Sequence, residues 1–475
     1  MLGNTVQNNS IRYDKILAKL FLFFIPFSIF SPLAFLKNIF VGIAGRASFL
    51  FLLIALVLYV VENGKISIEM DEGGLIFRHF AIIYIVGGAT SLFMALVLRG
   101  ELGTIGGEST IEATLKKIII SVALVAVFFY TREVFHILTR KEIEKVFDHL
   151  IIACIAVGLL QIGVLRVGGA FKTVYDLINR IFGAWTSAAI TNTGRIALLT
   201  SEPAAIAGFF GVALFPYIYS KWLHYGLTIS DFIKLVFLIY IMYHTNSTTG
   251  YALFCIDTVA FIFLYLKKPG VSQQRKAAGF LFMVGMIVLF FYFIVGHEAI
   301  GSNISTVFDK LFNADNTSSQ IRKIGLQVNW NIFRLFPIAG VGNGDQGFYY
   351  QQFFPKDALT TPWALERYNQ AANQLMDGGV YFASFMSGYG IIGILFMVTF
   401  IVRGARLITR ERGRFGSFYY FYLIAIVSLI VYGFSSTLIG DFSTWFIFGL
   451  PMAASFWQTD ETETLPIHTS KYIRS

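Results

Sequence analysis

The sequence is short of charge: Asp, Glu, Lys and Arg make up 14% of its 475 residues, against about a quarter in a soluble globular chain. Water is thereby excluded as the solvent for most of it. Cysteine is scarcer still. Cys154 and Cys255 are the only two, and both fall within apolar runs, which excludes a disulfide framework and a Cys-x-x-Cys metal site. A nucleotide loop is also missing. The glycine-rich GVGNG at 340–344 follows no strand and carries no Lys-Ser/Thr, so it reads as a turn allowing close backbone approach.

What the chain has is apolar residues, 56% of the total, with 50 phenylalanines. They come in runs of about 18–25, the length that crosses a hydrocarbon core of about 30 Å as helix. The predicted fold is all-α and integral to a membrane, a single polytopic domain over 1–475 with about twelve spans. These cover 17–36, 39–61, 79–98, 117–135, 149–165, 196–219, 230–246, 249–266, 278–297, 379–402, 416–435 and 439–457. The first run is long and has no A-x-A-like cleavage site, so it reads as a retained span and not a signal peptide.

The formal net charge is +9, but its basic residues are scattered between spans, which points to loops beside lipid and not to nucleic acid. Placing the amino terminus inside collects Arg132, Arg140, Lys141 and Lys145 in cytoplasmic loops. It also collects Lys267, Lys268, Arg275 and Lys276, then Arg403, Arg406, Arg410, Arg412 and Arg414. An even number of spans returns the carboxyl terminus, with Lys471 and Arg474, to the same side.

Two segments then face outward, 166–195 and 298–378. In the first, Phe171, Val174, Leu177, Ile178, Ile181, Phe182 and Trp185 recur at helical spacing opposite Lys172, Asp176, Asn179 and Arg180. That pattern predicts a helix lying in the membrane interface. In the second, Ile321, Ile324, Val328, Ile332 and Leu335 recur in the same way ahead of Pro337 and GVGNG. The outer segments carry Arg166, Lys172, Arg180, Arg195, Lys310, Arg322, Lys323, Arg334, Lys356 and Arg367. One explanation is pairing with Asp309, Asp315, Asp345, Glu366 and Asp377, or with lipid headgroups. The other is an anionic substrate, since a guanidinium grips phosphate bidentately and stays charged. The one Glu-x-Asp triplet outside the tail, Glu69–Met70–Asp71, lies on the inner side, so metal-dependent transfer at the outer face lacks ligands.

The stretch TGRIALLTSEPAAIAGFF (193–210) resembles the "R…EP" segment of O-antigen polymerases and ligases. SSQIRKIGLQVNWNIFRLFPIAGVGNGDQGF (318–348) resembles the same superfamily's outer-loop signature, and a span carrying GYGIIGILF (388–396) follows. The resemblance covers roughly 190–400. It implies a GT-C-like membrane glycosyltransferase with periplasmic amphipathic helices, in the bacterial inner membrane, with its active site on the periplasmic face. It further implies undecaprenyl-pyrophosphate-linked oligosaccharide as substrate, no metal or other cofactor, and a chain-length regulator as a possible partner. Wzy-type polymerases move the growing glycan onto a newly flipped repeat unit; the related ligases move it onto lipid A-core in lipopolysaccharide biosynthesis. Ligases of the superfamily typically carry a His-Asn pair before the span that here contains GYGIIG. The corresponding QLMDGGVYFASFMSG has no histidine, which favours the polymerase.

Undecaprenyl pyrophosphate is already a good leaving group, so the protein's task is to neutralise its developing charge and orient the acceptor hydroxyl. Arg195 and Arg322, within the matching motifs, are the first candidates for a pyrophosphate clamp; Arg166, Arg180 and Arg334 follow. Arg195 is expected to begin a span, where a helix amino terminus favours phosphate. Glu202 would then lie about two turns on, as a general base or as an arginine's partner. Asp345, His297 and Glu298 are further base candidates, while His244 reads as interfacial. Tyr349 and Tyr350, with Phe353, Phe354, Trp363 and Tyr368, read as packing residues or as platforms for sugar rings. A lipid-linked oligosaccharide flippase is the rival from another class, but the internal repeats and charged mid-membrane helices it calls for are not apparent.

Overall fold

The computed structural model describes residues 2–33, 45–64, 68, 71–274, 276–281, 283–285, 317–360, 362–376, 379–434, 436 and 442–458. The expected span 278–297 from residue 286 onward lies outside these residues, as do His297, Glu298, Asp309, Lys310, Asp315 and Asp377. The described chain is mostly helical, with one two-stranded hairpin. In order the helices are α1 (Leu2–Phe23), α2 (Ser48–Asn63) and α3 (Glu72–Leu102), then the hairpin β1–β2 (Thr104–Ile105, Glu108–Ser109). They continue as α4 (Thr110–Ile137), α5 (Arg140–Arg166), α6 (Gly169–Phe182), α7 (Ser187–Thr193), α8 (Pro203–Phe209) and α9 (Phe215–Tyr225). Next come α10 (Ile229–Thr245), α11 (Thr248–Lys267), α12 (Thr317–Leu335), α13 (Gln346–Tyr349) and α14 (Pro362–Asn373). The last are α15 (Tyr381–Arg410), α16 (Arg412–Phe415), α17 (Ser417–Gly433) and α18 (Phe442–Gly449).

Among the described residues, six helices are long and apolar enough to cross a membrane: α3, α4, α5, the continuous α8–α9 helix, α11 and α15. α2, α17 and α18 with its 3-10 extension are shorter and equally apolar. Local sequence sets several boundaries. Ser109 and Thr139 each cap a helix whose third residue, Glu112 or Glu142, bonds back to the cap, closing two capping boxes. The run expected at 17–36 stops being helical after Phe23, because Pro26 and Pro32 cannot continue the ladder. Arg46 Nη1 instead donates to the Pro26 carbonyl at 2.7 Å.

The α8–α9 helix is the central one, buried along almost its whole length. A π turn at Phe210–Leu214 joins its halves, just ahead of Pro216, whose ring and missing N–H disturb the regular ladder. In lipid, helices associate through close packing and not through water exclusion. Gly208 accordingly lies against the Tyr432 ring, and Gly211 against Leu253. Asp257 of α11 is fully buried in the bundle and accepts a hydrogen bond from Ser428 Oγ of α17.

Antiparallel connections put the hairpin, α6, the start of α11 and the start of α15 at one end of the bundle. A second core forms there, from Ile324, Val328 and Ile332 of α12, Phe348, Tyr349, Tyr350 and Phe354, and the ends of α3 and α4 at Leu98 and Ala113. The GVGNG turn fastens it to the bundle. Val341 N and Gly342 N donate to the Ser387 and Gly388 carbonyls, while Ile391 N and Ile392 N donate to Pro337 and Ile338. This exchange opens α15 at Gly390, whose φ is 62°. A Cβ there would stand 2.3 Å from the Ile338 carbonyl oxygen, and one on Gly340 would stand 2.4 Å from Gly388. The two glycine motifs are therefore two halves of one backbone contact.

Candidate functional site

The segment between α7 and α8 is apolar, which made it resemble the start of a span from residue 196. It is a buried loop instead, and the helix starts at Pro203 with Glu202 as its N-cap. Arg195 is thus not at a helix amino terminus, and Glu202 is not two helical turns along the same face from it. The reason is that distant groups take up the loop's backbone bonds. Gln161 of α5, fully buried, accepts from Ala197 N at 3.0 Å and Leu198 N at 2.8 Å, and donates to the Leu198 carbonyl at 2.6 Å. Tyr175 Oη of α6 donates to the Leu198 and Trp185 carbonyls. Ile196 N donates to His244, and Ser28 N to Leu199. These bonds hold Leu198 in the left-handed region at φ 50°, a conformation costing a non-glycine residue about 1–2 kcal/mol.

The loop presents Arg195 half-buried, its Nε donating to the Thr245 carbonyl at 2.9 Å at the end of α10. Its terminal nitrogens make no hydrogen bond or ion pair among the described residues. Arg322 of α12, also half-buried, has no such partner at all among them. Burial pushes both guanidiniums below their ordinary range, opposed at Arg195 by Tyr251 and Glu202, and at Arg322 by Tyr432 and Glu202. One carboxylate therefore acts electrostatically on both cations without pairing with either. Tyr432 ties the arrangement together, because its ring touches Gly208 on the helix that Glu202 caps.

The contrast with the other end of the bundle is sharp. There Lys15 and Lys19 pair with Glu142, Lys221 and Lys234 with Asp148, Arg132 with Glu133, and Arg410 with Glu72. Those cations are held by protein carboxylates, while half-buried Lys268 at the same end donates to the Leu223 carbonyl. Arg195 and Arg322 are desolvated without that compensation, which burial penalises unless a ligand supplies the anion.

The remaining candidates are spread around this pair. Arg166, at the end of α5, is exposed and lies close enough to Tyr243 and His244 to influence both. Arg180 is exposed on α6, and Arg334 is exposed at the opposite end of α12 from Arg322. Tyr349 and Tyr350 lie inside the second core, 4% and 2% exposed, with the Tyr349 ring against Phe336 and Phe353. Asp345 is completely buried in the GVGNG connection, where Thr114 Oγ1 of α4 donates to its Oδ1 at 3.2 Å and its Oδ2 has no partner among the described residues. Burial pushes its carboxyl up to about 7, and the Thr114 bond opposes the shift. No group of three His, Cys, Asp or Glu side chains suited to a metal occurs among the described residues.

Gln161, Tyr251, Tyr432 and Thr245 are site-building residues the sequence did not single out. A lone Gln in an apolar run, at 161, was the one visible signal, since a buried amide needs partners.

A family model described as O-antigen ligase matches residues 233–381, less than a third of the chain. That window contains His244, Tyr251, Arg322 and the GVGNG turn, and ends at the first residue of α15. No curated protein matches the chain.

Proposed function

We propose that the protein is a membrane glycosyltransferase that moves a glycan from undecaprenyl pyrophosphate to an acceptor hydroxyl, with Arg195 and Arg322 gripping the pyrophosphate. The observation that carries this reading is two half-buried arginines from segments far apart in the chain, both lacking an ion pair among the described residues and both within the electrostatic influence of Glu202. Two guanidinium forks suit a pyrophosphate diester with two negative charges. Charge developing on the leaving pyrophosphate is then stabilised by groups already in place. Glu202 is the nearest candidate to receive the acceptor's proton, and Asp345 serves to fasten the loop. The reading includes about twelve spans, both termini in the cytoplasm and the site on the periplasmic face of the inner membrane. The exposed apolar residues Val174, Leu177 and Ile181 of α6 suit burial in the outer leaflet there.

The acceptor we favour is a second lipid-linked repeat unit, making the enzyme a Wzy-type O-antigen polymerase. The absence of histidine from 374–388 supports it. The description of the matching family model supports the ligase as a second reading, in which lipid A-core accepts the glycan. Purified protein in detergent, given a synthetic undecaprenyl-pyrophosphate repeat unit alone, distinguishes them. A ladder of polymers is the result expected of a polymerase. Transfer that requires lipid A-core selects the ligase, and movement of the lipid across liposomes with no transfer sinks both.

A further inference from the structure

The two tyrosines expected to carry sugars are out of a substrate's reach, because Tyr349 and Tyr350 lie inside the second core. The helix that bears Arg322 offers a different ring. α12 buries Ile324, Val328 and Ile332 in that core, and its Asn329 is held by α15, where Ser387 Oγ donates to the amide oxygen. The other side of the helix is exposed. Arg322, Leu326 and Trp330 follow one another there at i+4 steps. Trp330 is 50% exposed, its ring 5.7 Å from that of Phe333. Gln327, exposed one turn before Trp330, borders the indole, and Asn331, one turn after Gln327 and half-buried, extends the row. Neither amide makes a hydrogen bond among the described residues.

Hydrocarbon is a poor match for this face. α12 is not among the described helices apolar enough to cross a membrane, and amides turned toward lipid tails would go without partners. A sugar matches it. One face of a pyranose ring presents C–H bonds, which stack on the electron-rich face of an indole. The hydroxyls at its rim give and accept hydrogen bonds, as a primary amide also does. The direction of the helix agrees. From Ile321 beside Gly379, α12 runs along the first turns of α15 to the GVGNG turn. That turn is fixed where Asn343 N donates to Ser91 Oγ of α3 at 2.8 Å and Thr114 of α4 donates to Asp345. Eight residues put Trp330 about 12 Å along the helix from Arg322, on the way to that turn. Resting on the reading of Arg322 as a pyrophosphate ligand, we infer that Trp330, with Gln327 and Asn331, forms a glycan subsite. It stacks a sugar ring beyond the one bonded to the pyrophosphate. The loaded lipid gains this contact, and the spent carrier, stripped of its glycan, loses it and leaves.

The test compares two ligands on the full-length protein in detergent: bare undecaprenyl pyrophosphate, and the lipid-linked repeat unit extracted from cells that make the protein. The parent is expected to bind the loaded lipid about tenfold more tightly, the worth of one good aromatic contact. Trp330→Ala should lose that advantage while binding the bare carrier as the parent does. Trp330→Phe, which keeps a ring, should retain most of it, and Gln327→Ala should lose about threefold. Equal affinity of the parent for both lipids, or an undiminished advantage in Trp330→Ala, overturns the subsite. Equal weakening of both lipids by Trp330→Ala assigns the ring to the carrier's tail or to packing and also overturns it. A loss in Trp330→Phe as large as in Trp330→Ala overturns the stacking. Arg322→Ala separates the subsite from its premise. Parental binding of the bare carrier by that variant refutes the clamp. Weakened binding there, together with a Trp330→Ala protein that matches the parent on the loaded lipid, refutes only the subsite.

Discussion

Gln161→Leu tests whether the position of Arg195 depends on a side chain one helix away. The substitution preserves volume within an apolar run and leaves α5 free to form. It removes the acceptor that Ala197 N and Leu198 N share, and the donor to the Leu198 carbonyl. The carbonyl keeps Tyr175 Oη at 3.2 Å, but the two buried N–H groups have no replacement. Each unsatisfied group costs about 1–3 kcal/mol, so the loop loses about 2–6 kcal/mol. Leu198 then has little to hold it at φ 50°, and relaxing to an ordinary conformation recovers about 1–2 kcal/mol. Arg195 lies three residues away and moves with the loop. A displacement of about 1 Å at a reacting centre costs about a hundredfold in rate. Limited trypsin digestion reports the movement directly, because Ile196 is fully buried in the parent. The variant is expected to insert normally, to be cut after Arg195 under conditions that spare the parent, and to lose glycan transfer by about that factor. Parental protection together with parental activity would refute the argument that Gln161 positions the loop.

Other perturbations probe the second core and the outlying arginines. Gly390→Ala puts a methyl group 2.3 Å from the Ile338 carbonyl oxygen at a φ of 62°; it is expected to undock 337–342 from α15, read as protease sensitivity across 317–376 with loss of activity. Asp345 has its carboxyl raised to about 7 by burial, so the folded loop holds a proton that the unfolded chain gives up above about pH 4. Loop stability should therefore fall as pH rises from about 4 to about 7, by at most about 1.4 kcal/mol per unit. Asp345→Asn should abolish that slope in pH-dependent proteolysis, and an unchanged slope would assign it to another group. Arg334→Ala, at an exposed position, should alter transfer by no more than about 0.5 kcal/mol equivalent; a large loss in initial-rate assays would bring Arg334 into the clamp.

Run length made most of the helices legible, since α3, α4, α5, α11 and α15 each coincide with an apolar stretch of spanning length. The same signal misplaced the start of α8. Ile196–Thr200 are apolar because they are buried, and their backbone is satisfied by Gln161, Tyr175 and Ala197 at positions no local pattern reveals. The amphipathic periods of α6 and α12 were equally visible, and the structure has helices at both. Spacing alone could not bring Arg195 and Arg322 together, because α10, α11 and more intervene; the motif resemblance singled both out. Tyr251 and Tyr432 were hidden among ordinary span aromatics, and Asp345 read as a base candidate or a partner for an outer cation. Only the fold shows it sealed against Thr114.

The central claim is that Arg195 and Arg322 grip one pyrophosphate, and a double-mutant cycle on undecaprenyl-pyrophosphate binding tests it most directly. Each charge-assisted contact is worth about 1.5–3 kcal/mol, so Arg195→Ala and Arg322→Ala should each weaken binding by about ten- to a hundredfold. Because both hold the same ligand, the double variant should depart from the sum of the two by about 0.5 kcal/mol or more. Parental affinity in both single variants would contradict the account, and strictly additive losses would place the two arginines on separate sites.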